Sequence, residues 1–139
     1  MAERKQKLTS VTEAEWPLLE TLWRKSPLSA REVYDSVLLD REPHIQTVRT
    51  LLDRMAKKGI LRRGKVHGIY VFSPIVDRDQ CVEQQSQSFL DRFFGGEPVA
   101  GAAYLLRDAS ASHEELKRLQ EMIDQKMREH LAKEEQGDA

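Results

Sequence analysis

Residues 44–72 read HIQTVRTLLDRMAKKGILRRGKVHGIYVF, and their apolar spacing changes period once, at Gly59. Val48, Leu51, Leu52 and Met55 recur at i, i+3, i+4 and i+7, the spacing of one buried helix face, so a helix is expected from near Pro43-His44 to Gly59. Lys57 and Lys58 fill its last turn and a glycine follows, which suits the negative end of a helix. Beyond Gly59, Ile60-Leu61-Arg62-Arg63 and Ile69-Tyr70-Val71-Phe72 are rich in strand formers and flank Gly64-Lys65-Val66-His67-Gly68. This pattern predicts a β-hairpin with a basic tip.

Upstream, a hydroxyl followed three residues later by Glu occurs at Thr12/Glu15 and Ser29/Glu32, and it returns downstream at Ser112/Glu115. Each is the pattern of a capping box at a helix start. Trp16, Leu19, Leu22 and Trp23 follow the first box, and Ala30, Val33, Tyr34, Val37 and Leu38 follow the second, again at helical spacing. Pro17 lacks the N–H that an interior helical position needs, so the first helix is expected to kink or to start late. Three short helices and a hairpin predict a winged helix-turn-helix domain over residues 1–75.

Residues 76–139 read as helical. Asp77 with Gln80 caps a helix carrying Val82, Phe89 and Phe93, Gly95-Gly96-Glu97-Pro98 breaks it, and a small-residue segment runs from Val99 to Arg107. A last helix sets Leu116, Leu119, Ile123, Met127 and Leu131 along one side. Such narrow apolar faces make a poor monomeric core, and pairing with a second copy is the natural way to bury them. The expected architecture is therefore mainly α with a small β-hairpin wing, a winged-helix DNA-binding domain followed by a helical dimerisation domain.

The charges divide in the same place. The 139 residues carry 22 Lys and Arg against 23 Asp and Glu, a net of −1. Residues 1–75 hold 14 against 9, a net of +5, and residues 76–139 hold 8 against 14, a net of −6. A basic half followed by an acidic half reads as two modules with different partners. The single cysteine, Cys81, excludes an intrachain disulfide and a Cys-based zinc cage, and no basic cluster beside it argues for a reactive thiolate, so a buried or interface thiol is expected. His44, His67, His113 and His130 are too scattered for a helical metal site, and no phosphate loop, nucleophile elbow or zinc-protease motif occurs. Neither an enzyme, a cofactor nor a bound metal is expected. With no apolar run of membrane-spanning length and no signal-peptide pattern, the expected location is the cytoplasm.

A helical turn of about 100° per residue puts Gln46, Arg49, Thr50, Asp53 and Lys57 opposite the buried face of the third helix, with Thr47 and Arg54 flanking and His44 at its start. Thr and Gln reach base edges, and Arg binds guanine or phosphate, so these side chains suit a major groove. Arg62, Arg63, Lys65 and His67 on or beside the hairpin suit phosphates. The same residues also fit a solvated face and an edge strand kept soluble by charge.

The run Thr12-Glu13-Ala14-Glu15-Trp16, then Leu22-Trp23, Ser29-Ala30-Arg31-Glu32-Val33, Thr47-Val48-Arg49-Thr50-Leu51-Leu52-Asp53-Arg54-Met55 and Lys57-Lys58-Gly59 resembles the BlaI/MecI penicillinase repressor family. Tyr70 and Phe89-Leu90-Asp91-Arg92-Phe93-Phe94-Gly95-Gly96 extend the resemblance, which covers about residues 8–132. It implies a homodimeric repressor that binds dyad-symmetric promoter sites on double-stranded DNA and commonly controls antibiotic-resistance operons. The family's DNA-reading helix corresponds to the segment with Gln46, Thr47, Arg49, Thr50 and Arg54, and its wing to Arg63 through Gly68. Penicillinase repressors are inactivated when a membrane receptor-metalloprotease system leads to cleavage between an Asn and a Phe downstream of the double glycine. The matching positions here are Tyr104 and Leu105, a departure from that residue pair in a segment that remains the candidate cleavage position. Copper-responsive relatives carry a C-terminal cysteine cluster that this tail lacks. Two other functions fit the same fold: a regulator released by a small ligand held near Phe89 and Phe93, and a protein-interaction module that never meets DNA.

Overall fold

The computed structural model describes residues 11–37 and 44–137. Its first helix, α1 (Trp16–Arg24), starts four residues after Thr12. Thr12 and Glu15 close a turn ahead of it, the Thr12 N–H donating to Glu15 Oε1 (2.9 Å) and the Glu15 N–H to Thr12 Oγ1 (3.2 Å). Pro17 thereby falls in the first turn, where no intrahelical partner exists for an N–H, and this is the late start that Pro17 demands. The second box is complete: the Ser29 N–H donates to Glu32 Oε1 (3.0 Å) and the Glu32 N–H to Ser29 Oγ (3.2 Å), at the head of α2 (Ala30–Ser36). That helix ends with Val37 extended, short of the expected apolar run, whose last member Leu38 lies outside the described residues. Helix α3 (Ile45–Lys58) begins after His44 and ends at a left-handed Gly59.

The sheet has three antiparallel strands where a hairpin alone was expected. Strands β1 (Leu28–Ser29), β2 (Leu61–Val66) and β3 (Ile69–Pro74) lie in the order β1-β3-β2, with Leu28 paired to Phe72 and Ser29 to Val71. The two-residue β1 coincides with a capping box, whose pattern reads as a helix start. The hairpin loop is also shorter than the five residues expected: β2 runs through Gly64-Lys65-Val66, and only His67 (φ +50°) and Gly68 (φ +81°) turn. Two successive positive φ values make the tight two-residue turn whose twist matches the strands.

Leu18, Leu19 and Leu22 of α1, Val33 of α2 and Val48, Leu52 and Met55 of α3 meet Leu61 and Phe72 at the base of the sheet, and all are buried. At the edge of this core sits Glu15, fully buried, with both carboxylate oxygens on Lys58 Nζ (2.7 and 2.9 Å). The pair ties the start of α1 to the last turn of α3.

The charge boundary near Ser73-Pro74 is not the packing boundary. Helix α4 (Arg78–Phe94), capped by Asp77 Oδ2 accepting from the Gln80 N–H (3.3 Å), belongs to the first of two compact units, which divide between Gly96 and Glu97. Cys81 on α4 is buried and Gln85 Nε2 donates to the Val11 carbonyl (3.4 Å), while just ahead of the helix the Val76 carbonyl accepts from Trp23 Nε1 (3.0 Å). The break falls at Gly95 and Gly96, both left-handed, with the Gly96 N–H returning to the Leu90 carbonyl (2.9 Å). The second unit contains α5 (Pro98–Leu106), which the small-residue segment forms, and α6 (His113–Gly137). Pro98 supplies the preset φ of a first helical position. No helix among the described residues is long and apolar enough to cross a membrane.

Candidate nucleic-acid interface

Burial of Val48, Leu52 and Met55 turns the opposite side of α3 outward. His44, Gln46, Thr47, Arg49, Thr50, Arg54 and Lys57 are all exposed, so the structure brings the seven helix residues named from the sequence onto one solvent-facing surface. Thr50 Oγ1 donates to the Gln46 carbonyl (2.9 Å), which leaves its methyl and its acceptor lone pairs facing outward. Thr50, Asp53, Arg54 and Lys57 rim a shallow hollow of about 340 Å³ on this surface.

The wing residues divide by strand face. Side chains alternate along a strand, and the register pairs Arg63 with Phe72 and Lys65 with Tyr70, so these four share one face of the hairpin. Phe72 is buried in the core, which fixes that face toward α3. Arg63 Nη1 lies 3.5 Å from Asp53 Oδ1 on α3, with both side chains about half exposed. The Tyr70 ring holds two cations, with Arg63 Cζ at 4.7 Å and Lys65 Nζ at 4.8 Å from its centroid. His67 stands at the turn and is exposed. Between α2, α3 and the wing runs a cleft of about 460 Å³ lined by Arg31, Arg49, Asp53, Ile69, Tyr70 and neighbouring residues. An exposed ion pair such as Arg63–Asp53 contributes about 0–1 kcal/mol, weak enough to be exchanged for a phosphate.

Sequence reasoning missed Tyr70 as the platform for both wing cations and Arg31 as a wall of the cleft. The signal for Tyr70 was the turn: read as two residues, His67-Gly68 sets Lys65 opposite Tyr70, but His-Gly lacks the Asn or Asp that usually marks such turns. The partnership of Asp53 with Arg63 joins residues on two elements, and spacing along the chain carries no sign of it.

Phe89 packs on Phe93 (ring centroids 5.3 Å apart) and on Phe94 (5.7 Å), while Phe93 remains 62% exposed. Val82 borders a groove beside Val11, Trp16 and Pro17, whose lining does not include Phe89 or Phe93. On α6, which buries none of its residues, Leu116, Ile123 and Met127 are exposed and Leu119 is half-buried. Tyr104 and Leu105 lie in the last turn of α5 with their side chains exposed. Cys81 is a free, buried thiol, and burial pushes its pKa up, with the Asp77 carboxylate adding to the shift. No group of His, Cys, Asp or Glu among the described residues is arranged to hold a metal ion.

A family model for the penicillinase repressor matches residues 11–125. The chain is 25% identical over 118 residues to a penicillinase repressor of Staphylococcus aureus, a match spanning 85% of this chain and 94% of that protein. It is 27% identical over 120 residues to a penicillinase repressor of Bacillus licheniformis, spanning 86% and 94%. To the methicillin resistance regulatory protein MecI of Mammaliicoccus sciuri it is 23% identical over 120 residues, spanning 86% and 98%.

Proposed function

The chain belongs to the penicillinase repressor family of transcriptional repressors, and we propose that it acts as a homodimer that sets two copies of α3 into the major grooves of an inverted-repeat operator. The observation that carries this reading is the outward surface of α3, where Gln46, Thr47, Arg49, Thr50 and Arg54 stand exposed above the buried Val48, Leu52 and Met55. On a two-fold axis, two such helices enter grooves one helical turn, or a multiple of it, apart. Arg49 reads guanine or grips phosphate, and Gln46, Thr47 and Thr50 meet base edges. Lys57 and the wing cations Arg63, Lys65 and His67 lie along the backbone and add affinity without reading sequence.

The exposed apolar stripe of α6 supports pairing with a second copy through the C-terminal helices, since an apolar surface of that extent marks an interaction site. Repression ends when the dimer is weakened, because a single reading head loses avidity. Cleavage near Tyr104-Leu105 is one such signal, and a membrane receptor-metalloprotease found encoded beside this gene would support it. The experiment is competition binding between a duplex from the protein's own upstream region and a scrambled duplex. The wild type is expected to prefer the upstream duplex and Arg49→Ala to lose about 1–3 kcal/mol of that preference. Equal preference in both proteins removes Arg49 from the readout.

A further inference from the structure

Asp53 is an acidic residue on a surface otherwise suited to a polyanion, projecting beside Arg49, Arg54 and Lys57. A carboxylate there opposes DNA approach, so its presence calls for a physical reason. It has a partner on another element: Asp53 Oδ1 lies 3.5 Å from Arg63 Nη1, the same guanidinium that lies over Tyr70 at 4.7 Å. Arg63 is thus held between a carboxylate on α3 and an aromatic face on the wing, beside the cleft that both elements line. A carboxylate and a phosphate offer a guanidinium the same pair of acceptor oxygens. We propose that Asp53 is a surrogate anion: it holds Arg63 against α3 in the free protein and yields it to a backbone phosphate, positioning the wing and restraining affinity for DNA of any sequence.

The inference rests on the DNA-binding reading, and it assigns Asp53 a positioning role exerted through Arg63. Because the Asp53–Arg63 pair is half exposed, the exchange needs no unfolding and no movement of the hairpin base. Tyr70 keeps Lys65 aligned at 4.8 Å while Arg63 changes partner. Restraint of this kind lowers binding to every duplex alike, so it limits occupancy of non-specific sites and leaves the preference set by base contacts unchanged.

The test measures affinity against salt for the full-length protein and its variants, on the upstream duplex and a scrambled duplex. Asp53→Asn is expected to tighten binding to the scrambled duplex by roughly two- to fivefold, the worth of an exposed ion pair, with the slope of log K against log salt little changed, because Arg63 meets the same phosphate in both complexes. In an Arg63→Gln background the same substitution is expected to lose most of that gain, because the freed cation is gone. An equal gain in both backgrounds overturns the proposal, since the carboxylate then acts by repulsion alone. A loss confined to the upstream duplex also overturns it and makes Asp53 a base reader. If the wild type binds neither duplex at low salt, the DNA-binding reading fails and takes this proposal with it, whereas wild-type binding with an unaltered Asp53→Asn variant refutes the proposal alone.

Discussion

The hydroxyl of Thr50 is committed to the carbonyl of Gln46, so the groups it offers outward are a methyl and its acceptor lone pairs. A methyl that meets a thymine methyl contributes about 0.8 kcal/mol, the value of one buried carbon. Thr50→Ser is therefore expected to lose about that much discrimination at one position of the operator, and Thr50→Val to keep it; base-by-base competition binding checks both, and a loss in Thr50→Val with none in Thr50→Ser would assign the readout to the hydroxyl. Glu15 carries a different kind of charge. Its fully buried carboxylate is satisfied by Lys58 and by the Thr12 N–H, so Glu15→Gln removes the negative member of a buried ion pair at the core edge. Removing one partner of a buried pair costs about 3–5 kcal/mol, and the partial access of Lys58 to solvent argues for the lower end, about 3 kcal/mol, in urea unfolding. Glu15 was visible in the sequence as half of a capping box, but its link to Lys58 was not, because the two residues are 43 apart along the chain and meet only once α1 and α3 pack.

At the scale of elements, helices whose start signals and apolar spacing agree were legible: α2 has its complete Ser29/Glu32 box, and α3 runs between His44 and Gly59. The outward surface of α3 was legible for the same reason, since burial of Val48, Leu52 and Met55 dictates what faces solvent. Features made by pairing were not. Strand β1 is two residues long and has no periodicity to detect, and the register that sets Lys65 over Tyr70 depends on a turn with an uncommon sequence. The Ser29/Glu32 box also titrates. Bonds from the Ser29 N–H and hydroxyl to the exposed Glu32 carboxylate lower its pKa below the ordinary 4.5. A depressed carboxyl pKa contributes stability that is full above that ordinary value and fades as pH falls through the lowered one. Ser29→Ala is expected to cost about 1 kcal/mol at neutral pH, and thermal melts of wild type and Glu32→Gln are expected to converge on acidification; a gap that widens at low pH contradicts this.

Across the whole molecule, a net charge of −1 hides a reading head of +5 and an acidic remainder of −6. A head with that modest charge binds DNA weakly alone, since affinity grows with the number of phosphates met, and two heads on one duplex multiply it. The account therefore depends on α6, whose residues Leu116, Ile123 and Met127 stay exposed in the single chain. Replacing Ile123 and Met127 together by Asp is expected to give a folded monomer in sedimentation equilibrium, with operator affinity down about a hundredfold; a dimer of unchanged strength would place the contact elsewhere. The central claim, two α3 helices on one dyad, is tested most directly by hydroxyl-radical footprinting of the full-length protein on the DNA upstream of its own gene. The account predicts two protected half-sites related by two-fold symmetry and centred one helical turn or a multiple of it apart. Protection of a single half-site, or none at low salt, would contradict it.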